Sequence, residues 1–246
     1  MPLPGGYTLL TPVITYAVVL LRCPRNSSSL ICVLRIRLAN RAAVALLFGQ
    51  DHEGVKRVTD LCASQHELLK LHPLYLLAFI YETRFESWMR WLSTLWMQVN
   101  EIETATRMTS ESWRSRNMSA GRLHALENTD ALLTYLHSTH TELCHGENVL
   151  SLANKMGTFC LIVLDALEKA RLDQMLPPIS GKRRSGLDER LRFTATRCEA
   201  VRDRLLEMKQ RLNGQIQVVR TQATSRTAER LREPRQANSN NQLATI

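Results

Sequence analysis

The sequence predicts a mainly α-helical protein: a long antiparallel helical bundle or coiled coil, preceded by a small strand-containing α/β module. Three observations support this class. Apolar residues recur at alternating three- and four-residue steps over most of the chain after Pro73. β-Branched residues are concentrated near the N-terminus. Only 10 glycines and 8 prolines interrupt the 246 residues, which favours long helices over many short strands.

Residues 1–50 are predicted to form the strand-rich module. We expect strands over Val13–Arg22, Leu30–Leu38 and Ala42–Phe48, because these segments are rich in apolar and β-branched residues. Pro, Asn and Ser residues between the first two strands favour a turn there. Leu34–Leu38 alternates apolar and basic residues, as a strand with one buried face does.

The apolar segment Tyr7–Leu21 could also be a membrane anchor or a signal peptide. It is shorter than the ~20 residues that a helix needs to cross a bilayer. Pro12 interrupts it, and no Lys or Arg precedes it. We therefore interpret it as a buried strand and predict no membrane span, with anchoring through Tyr7–Leu21 as the alternative.

Residues 51–176 are predicted to form the bundle of long helices. A first helix over about Glu53–Leu71 should end before Pro73, because a residue that precedes proline disfavours the helical conformation. A heptad seam then begins, with Trp91 and Trp96 beside it widening the buried stripe. Its members are Leu74, Ala78, Tyr81, Phe85, Trp88, Leu92, Leu95, Val99 and Ile102.

A second long helix should follow a polar loop at about Thr109–Gly121. Its first seam residues are predicted to be Leu126, Thr129, Leu133, Leu136, His140 and Leu143. Gly146 is expected to break or bend this helix, since glycine is a poor helix former. The alternation then continues from Val149 to Ala170.

Residues 177–186 are predicted to be a basic Pro/Gly linker, residues 187–233 a heptad stalk-like helix, and residues 234–246 a disordered tail rich in Asn and Gln. The seam of the stalk-like helix comprises Leu187, Leu191, Thr194, Cys198, Val201, Leu205, Met208, Leu212, Gln215 and Val219. An apolar stripe of this length must pack on a partner stripe. We expect this seam to act in packing or oligomerisation, with a second copy or a related subunit as partner.

The chain has a net charge of +9, and the segment Lys182–Arg235 contains 15 Lys or Arg and 7 Asp or Glu, a balance of 15 − 7 = +8. Lys182, Arg183 and Arg184 are the candidate anion-binding cluster. A solvated helix face is the favoured interpretation of this charge. The alternative is a basic coiled-coil module that binds nucleic acid or an anionic membrane surface. Nucleic acid is the less favoured partner, because the aromatic residues are not interleaved with the basic stretch.

Sequence motifs for catalysis are absent: the chain has no nucleophile elbow, phosphate-binding glycine loop or H-E-x-x-H. We predict no enzyme, no catalytic residue and no cofactor. His137, His140 and Cys144 form a weak metal candidate, since imidazole and thiolate at helical spacing can bind zinc or copper. None of the six cysteines forms a C-x-x-C pair, which favours reduced thiols and a cytoplasmic location.

The order of these features resembles the cytosolic region of divergent fungal CorA-like magnesium transporters, over most of residues 8–230. The similar pieces are Val44–Gly49, the step Leu71–Leu77 into a long helix, Leu123–His124, and the stalk-like Arg197–Val219 with Gln215-Ile216-Gln217-Val218. In that family the stalk leads into two transmembrane helices, with a Gly-Met-Asn signature after the first. The sequence contains no Gly-Met-Asn.

The resemblance therefore implies a soluble cytosolic domain that does not itself transport ions, because ion passage needs apolar spans. It implies docking on a second copy or on a related CorA-like subunit. Magnesium is a possible ligand by resemblance only, and no residue is assigned to it.

Overall fold

The computed structural model describes residues 16–23, 30–49, 52–106, 129–179 and 181–243, with side chains of the last helix described as far as residue 221 and at 224 and 225. Within these ranges the elements are β1 (Tyr16–Arg22), β2 (Leu30–Arg37), β3 (Ala43–Gly49), α1 (His52–Ser64), α2 (His66–Leu71), α3 (Tyr75–Ala105), α4 (Thr129–Asp173) and α5 (Gly181–Leu243). The mainly helical class with a small N-terminal strand module is confirmed.

The chain divides into two compact units, to which the three long helices all contribute. Unit 1 comprises Met1–Trp88 and Val149–Ala200, and unit 2 comprises Met89–Asn148 and Val201–Ile246. The predicted segments 1–50, 51–176 and 187–233 do not follow this division. Heptad patterns continue through the unit boundaries, so the sequence pattern gives no signal there.

The sheet of unit 1 is antiparallel with the order β1-β2-β3. Its register places Val33 of β2 between Leu20 of β1 and Leu46 of β3. The β2–β3 hairpin turns through Asn40-Arg41, where Asn40 Oδ1 accepts the Ala42 N–H at 3.1 Å. Arg41 adopts a left-handed backbone with φ 61°. The three strands lie close to their predicted bounds, and the predicted strand residues Val13–Thr15 lie outside the described ranges.

Helices α1 and α2 replace the single helix predicted over Glu53–Leu71. The break occurs at Gln65, whose backbone is not helical, with φ −114° and ψ 30°. The Leu68 N–H donates to the Gln65 carbonyl at 3.0 Å, which begins the next helix. The predicted stop before Pro73 is confirmed, since His72 has an extended backbone with φ −154° and ψ 122°.

The heptad seam of α3 is buried as predicted. Every member from Leu74 to Ile102 is at most 4% exposed. Trp96 is different: it is 45% exposed and does not widen the buried stripe. Tyr81, Phe85 and Trp88 are fully buried in unit 1, where their large apolar surfaces stabilise the core.

Helix α4 is continuous from Thr129 to Asp173, so the predicted break at Gly146 is wrong. A Cβ at Gly146 would lie 2.6 Å from Leu205 Cδ1 of α5. Glycine at this position therefore allows the two helices to approach closely. The predicted seam is also one residue out of phase near His140, because Thr139 is 1% exposed whereas His140 is half-buried. The predicted loop Thr109–Gly121 and Leu126 lie outside the described residues.

Helix α5 begins at Gly181 and extends to Leu243. The predicted linker is therefore non-helical only over residues 177–179 among those described, and the tail predicted to be disordered is helical up to Leu243. Ser185 Oγ donates to Glu189 Oε1 at 2.9 Å in the first turns of α5, and Arg184 pairs with Asp165 of α4. These contacts favour a helix in a segment that composition alone marks as a linker.

Polar contacts fix the register of α3 and α5 in each unit. In unit 1 the Arg190 guanidinium donates to both carboxylate oxygens of Glu82, one of them at 2.6 Å. In unit 2 Arg211 donates to both oxygens of Glu103, at 2.8 and 2.6 Å, and to Asn100. Each acid–arginine pair is separated by 108 residues, so both units use the same α3–α5 register.

His72 is completely buried where α3 begins. Its Nδ1 accepts the Leu74 N–H at 3.1 Å, which places the proton of the neutral ring on Nε2. Burial, together with the nearby charges of Arg41, Arg171 and Arg184, lowers the pKa of His72 to about 4. The imidazole is therefore a neutral cap of α3 that cannot be protonated without loss of stability.

We expect replacement of Gly157 by Ala to destabilise unit 1. The new Cβ would lie 2.9 Å from the Tyr81 hydroxyl oxygen, which donates to Cys198 Sγ at 3.4 Å. Overpacking costs about 1–3 kcal/mol, more than the ~1 kcal/mol that Ala gains in helix propensity. Gly214→Ala is the matched control, because nothing lies within 4 Å of a Cβ there. In urea unfolding, Gly214→Ala should stabilise the protein, and equal effects of the two variants would contradict this packing.

Stability should fall as the pH falls from 6.5 towards 4. The folded-state pKa of His72 is lowered to about 4, so the unfolded state binds the proton more tightly, and the stabilisation present above pH 6.5 is lost through this window. A difference of about 2.5 pKa units corresponds to about 3 kcal/mol. His72→Asn keeps an acceptor for Leu74 but does not titrate. Urea unfolding at several pH values should show a shallower acid dependence for this variant, and identical slopes would count against the buried neutral imidazole.

Candidate docking surface

The predicted metal ligands do not form a three-ligand site. Cys144 Sγ lies 3.8 Å from His140 Nδ1, and His137 is exposed on an earlier turn of α4. The seven-residue step from His137 to Cys144 spans about 10 Å along a helix, too far for two ligands of one ion. Within the described part of the chain, no three or more His, Cys, Asp or Glu residues are placed to hold a metal.

The predicted anion-binding cluster lies in the first turn of α5. Arg184 pairs with Asp165, whereas Lys182 and Arg183 are exposed. Positive side chains at a helix N-terminus oppose the helix dipole. Anion binding by this cluster stays a prediction.

The predicted oligomerisation seam of α5 is buried within the chain. All ten of its residues from Leu187 to Val219 are at most 9% exposed. Leu187 and Leu191 are buried in unit 1, and Leu205 and Leu212 in unit 2. The apolar stripe of α5 already packs on partners in the same chain, so it is not available to a second chain.

Four buried cysteines are unreactive core residues. Burial raises the pKa of Cys23 and Cys160 to about 12 and that of Cys32 and Cys198 to about 11. A thiol with so high a pKa forms almost no thiolate near neutral pH. All six cysteines are free thiols.

The outer face of the sheet is an exposed apolar surface. Its most exposed members, each between 55% and 67% exposed, are Val18, Leu20, Val44, Leu46 and Phe48. The register aligns Leu20, Val33 and Leu46 in one row across the three strands. The opposite face is the buried one, with Val19, Leu21, Cys32, Leu34 and Ile36 in the core of unit 1. Contiguous exposed apolar patches commonly mark interaction sites.

Strand β3 is exposed on both faces. Ala43 and Ala45, which point to the helix side, are exposed, and Leu47 is half-buried. These three residues line a cleft of about 480 Å³ together with Cys62 of α1 and Leu69 of α2. The helices therefore leave space beneath β3.

One edge of β3 has no strand partner within the described sheet. Arg37 N–H donates to the Ala42 carbonyl at 2.8 Å, which closes the hairpin. Bonded and non-bonded pairs alternate in an antiparallel ladder, so Val44, Leu46 and Phe48 bond β2. The amides of Ala43, Ala45, Leu47 and Gly49 consequently point away from β2. Within the described sheet β3 has one neighbour, β2.

Charge is distributed unevenly over the sheet. The described residues 16–23 and 30–49 include four arginines and no Asp or Glu. Arg22, Arg35 and Arg37 are exposed on the outer face, at its two ends, and the Arg35 guanidinium stacks 3.9 Å from the Tyr16 ring centre. Strand β3 itself has the uncharged sequence AVALLFG. Edge strands usually bear charges or prolines that prevent pairing, and β3 bears neither.

One segment, Asp130–Asp173 of α4, is long enough and apolar enough over an 18-residue window to cross a membrane. This stretch bears on the predicted absence of a membrane span, which stays a prediction. In the structure 39% of that window is buried, and the core helix of a soluble protein meets the same criterion.

Comparison with known proteins gives no relative: no protein-family model, no curated protein and no solved structure matches the chain.

Sequence reasoning missed the docking surface, although one signal was present. The run Tyr16–Leu21 is apolar at every position, and such runs normally indicate a strand that is buried on both faces. Val18 and Leu20 are exposed instead, because the described helices lie on one side of the sheet only.

Proposed function

We propose that the protein is a non-enzymatic self-association module in which two copies join through the free edges of β3. The observation that supports this proposal most directly is the open edge itself: an uncharged apolar strand of seven residues, exposed on both faces and with one strand neighbour in the described sheet. Addition of a strand to such an edge is a common mode of protein association, because main-chain hydrogen bonds provide affinity.

A second copy fits this edge better than a charged partner strand does. Because β3 contains no charged residue, two β3 strands approach without like-charge repulsion. An antiparallel register centred on Leu46 would pair Ala45 of each copy with Leu47 of the other, so that the outward amides of both strands are bonded. Such a two-fold arrangement closes on itself and stops at a dimer.

Edge pairing also avoids the arginines of the outer face. Packing the outer faces of two copies against each other would bring two sets of Arg22, Arg35 and Arg37 together, which is unfavourable. In a dimer joined through the β3 edges, Arg22 remains on β1, and Arg35 and Arg37 remain on β2. The arginines of the two copies are therefore not brought together.

The family resemblance extends the proposal to a second partner. If the chain is the soluble relative of CorA-like subunits that the resemblance implies, the same edge would accept the corresponding strand of a related subunit. Neither partner requires the α5 seam, and association would proceed without ion transport or catalysis.

The test compares two Leu→Lys variants on the same face of the sheet. Leu46 is at the centre of the proposed interface, whereas Leu20 is on β1, at the opposite edge, with a similar exposure of 64% against 56%. Leu46→Lys places two like charges opposite each other across the two-fold axis. Sedimentation equilibrium should show a dimer for the wild type and for Leu20→Lys, and at least a tenfold weaker dimer for Leu46→Lys.

A proline pair checks the backbone contribution. The Ala45 amide points to the free edge, so Ala45→Pro should remove dimer hydrogen bonds and leave the β2–β3 ladder intact. Leu46→Pro, by contrast, removes a ladder bond within the sheet and should lower thermal stability. A wild-type monomer at all accessible concentrations, or a dimer that Leu20→Lys and Leu46→Lys weaken equally, would refute the β3 interface.

A further inference from the structure

The outer face of the sheet has an apolar centre with cations at both ends. Arg37 lies opposite Tyr16 in the first cross-strand row, and Arg35 lies in the second, between Val18 and Val44. The third row, formed by Leu20, Val33 and Leu46, is wholly apolar. In the fourth row Ile31 lies between Arg22 and Phe48.

The arginines of this face have no carboxylate partner within the described strands. No Asp or Glu lies in the described strands or their β2–β3 connection, so the sheet itself offers no carboxylate to them. Arg35 is held in place by its stacking on Tyr16, at 3.9 Å from the ring centre, which reduces the entropy lost when it binds.

We propose that the outer face binds an acidic amphipathic helix of a partner protein. A sheet with one apolar face is stable when that face packs against another layer, and a helix is the usual second layer. The span from Ile31 to Arg37 along β2 is roughly 20 Å at ~3.3 Å per residue. A helix of roughly 13 residues covers this length. Such a helix would present apolar side chains to Leu20, Val33 and Leu46 and carboxylates near each end.

The shape of the face favours a helix over an anionic lipid surface. Membrane-binding surfaces insert a protruding apolar element into the bilayer boundary. Here the apolar side chains belong to the pleat of the sheet, and Ile31 and Val33 of the central strand are only half-exposed. A sheet face of this kind packs against a helix or another sheet more readily than it enters a bilayer.

The test uses a labelled helical peptide of about 14 residues, with leucines on one face and Glu in its first and last turns, added to the full chain. The control peptide has Lys in place of every Glu. Fluorescence anisotropy should show binding of the acidic peptide at least tenfold tighter than that of the basic one, and weaker at high salt. The double variant Arg35→Glu/Arg37→Glu should reverse this preference. Absence of acidic-peptide binding, or equal binding of the two peptides, overturns the proposal.

Two variants separate this proposal from dimer formation. Leu20→Lys should lose at least tenfold in peptide affinity while the dimer is unchanged, and Ala45→Pro should lose the dimer while peptide affinity is unchanged.

The other occupants are tested in parallel. Sedimentation with phosphatidylserine vesicles that depends on Leu20 and Arg35, without peptide binding, would assign the face to lipid. Peptide binding only after removal of residues 2–12 would assign it to the chain's own N-terminal segment. Either result contradicts a partner helix.

Discussion

The packing of three apolar stripes, on α3, α4 and α5, is the interaction on which the rest of the structure depends. In unit 1 Gly157 allows α4 to approach Tyr81 closely, and in unit 2 Gly146 allows it to approach Leu205. At both positions a Cβ would meet a neighbouring side chain at less than 3 Å. Two glycines that are unfavourable for a helix in isolation are thus favourable for the bundle, because close packing recovers more free energy than helix propensity loses.

This packing determines which surfaces are available to other molecules. Because the α5 seam is buried within the chain, its apolar residues cannot also form a coiled coil with a second copy without opening the bundle. The sheet is covered by helices on one side, while its other face and the β3 edge are exposed. Val18, Leu20, Val44, Leu46 and Phe48 are exposed together on the sheet, where we place both proposed interfaces.

Periodicity in the sequence predicted much of the fold. The seam residues of α3 and α5 were identified one by one, since a heptad repeat specifies the buried face directly. The heptad prediction was wrong at His140. The buried position is Thr139, a polar residue, so the apolar pattern around it is compatible with two choices of the buried helix face. Sequence prediction was also wrong at Gly146 and at residues 181–186, where tertiary contacts to Leu205 and Asp165 override local propensity.

The candidate interface could not be predicted in the same way. An apolar strand run does not reveal whether one face or both are covered, and this depends on where the helices pack. The orientation of the Ala45 and Leu47 amides away from β2 follows from the register of β3 on β2, which only the structure shows.

Hydrogen–deuterium exchange as a function of protein concentration tests the central claim most directly, because it reports separately on the seam and on the sheet edge. The account predicts that amides around Leu205 and Leu212 are equally protected at all concentrations, while those of Ala45 and Leu47 become protected as concentration rises. Protection of the α5 amides that increases with concentration, with β3 exchanging rapidly throughout, would show that the stripe of α5 finds its partner in another chain and would contradict the account.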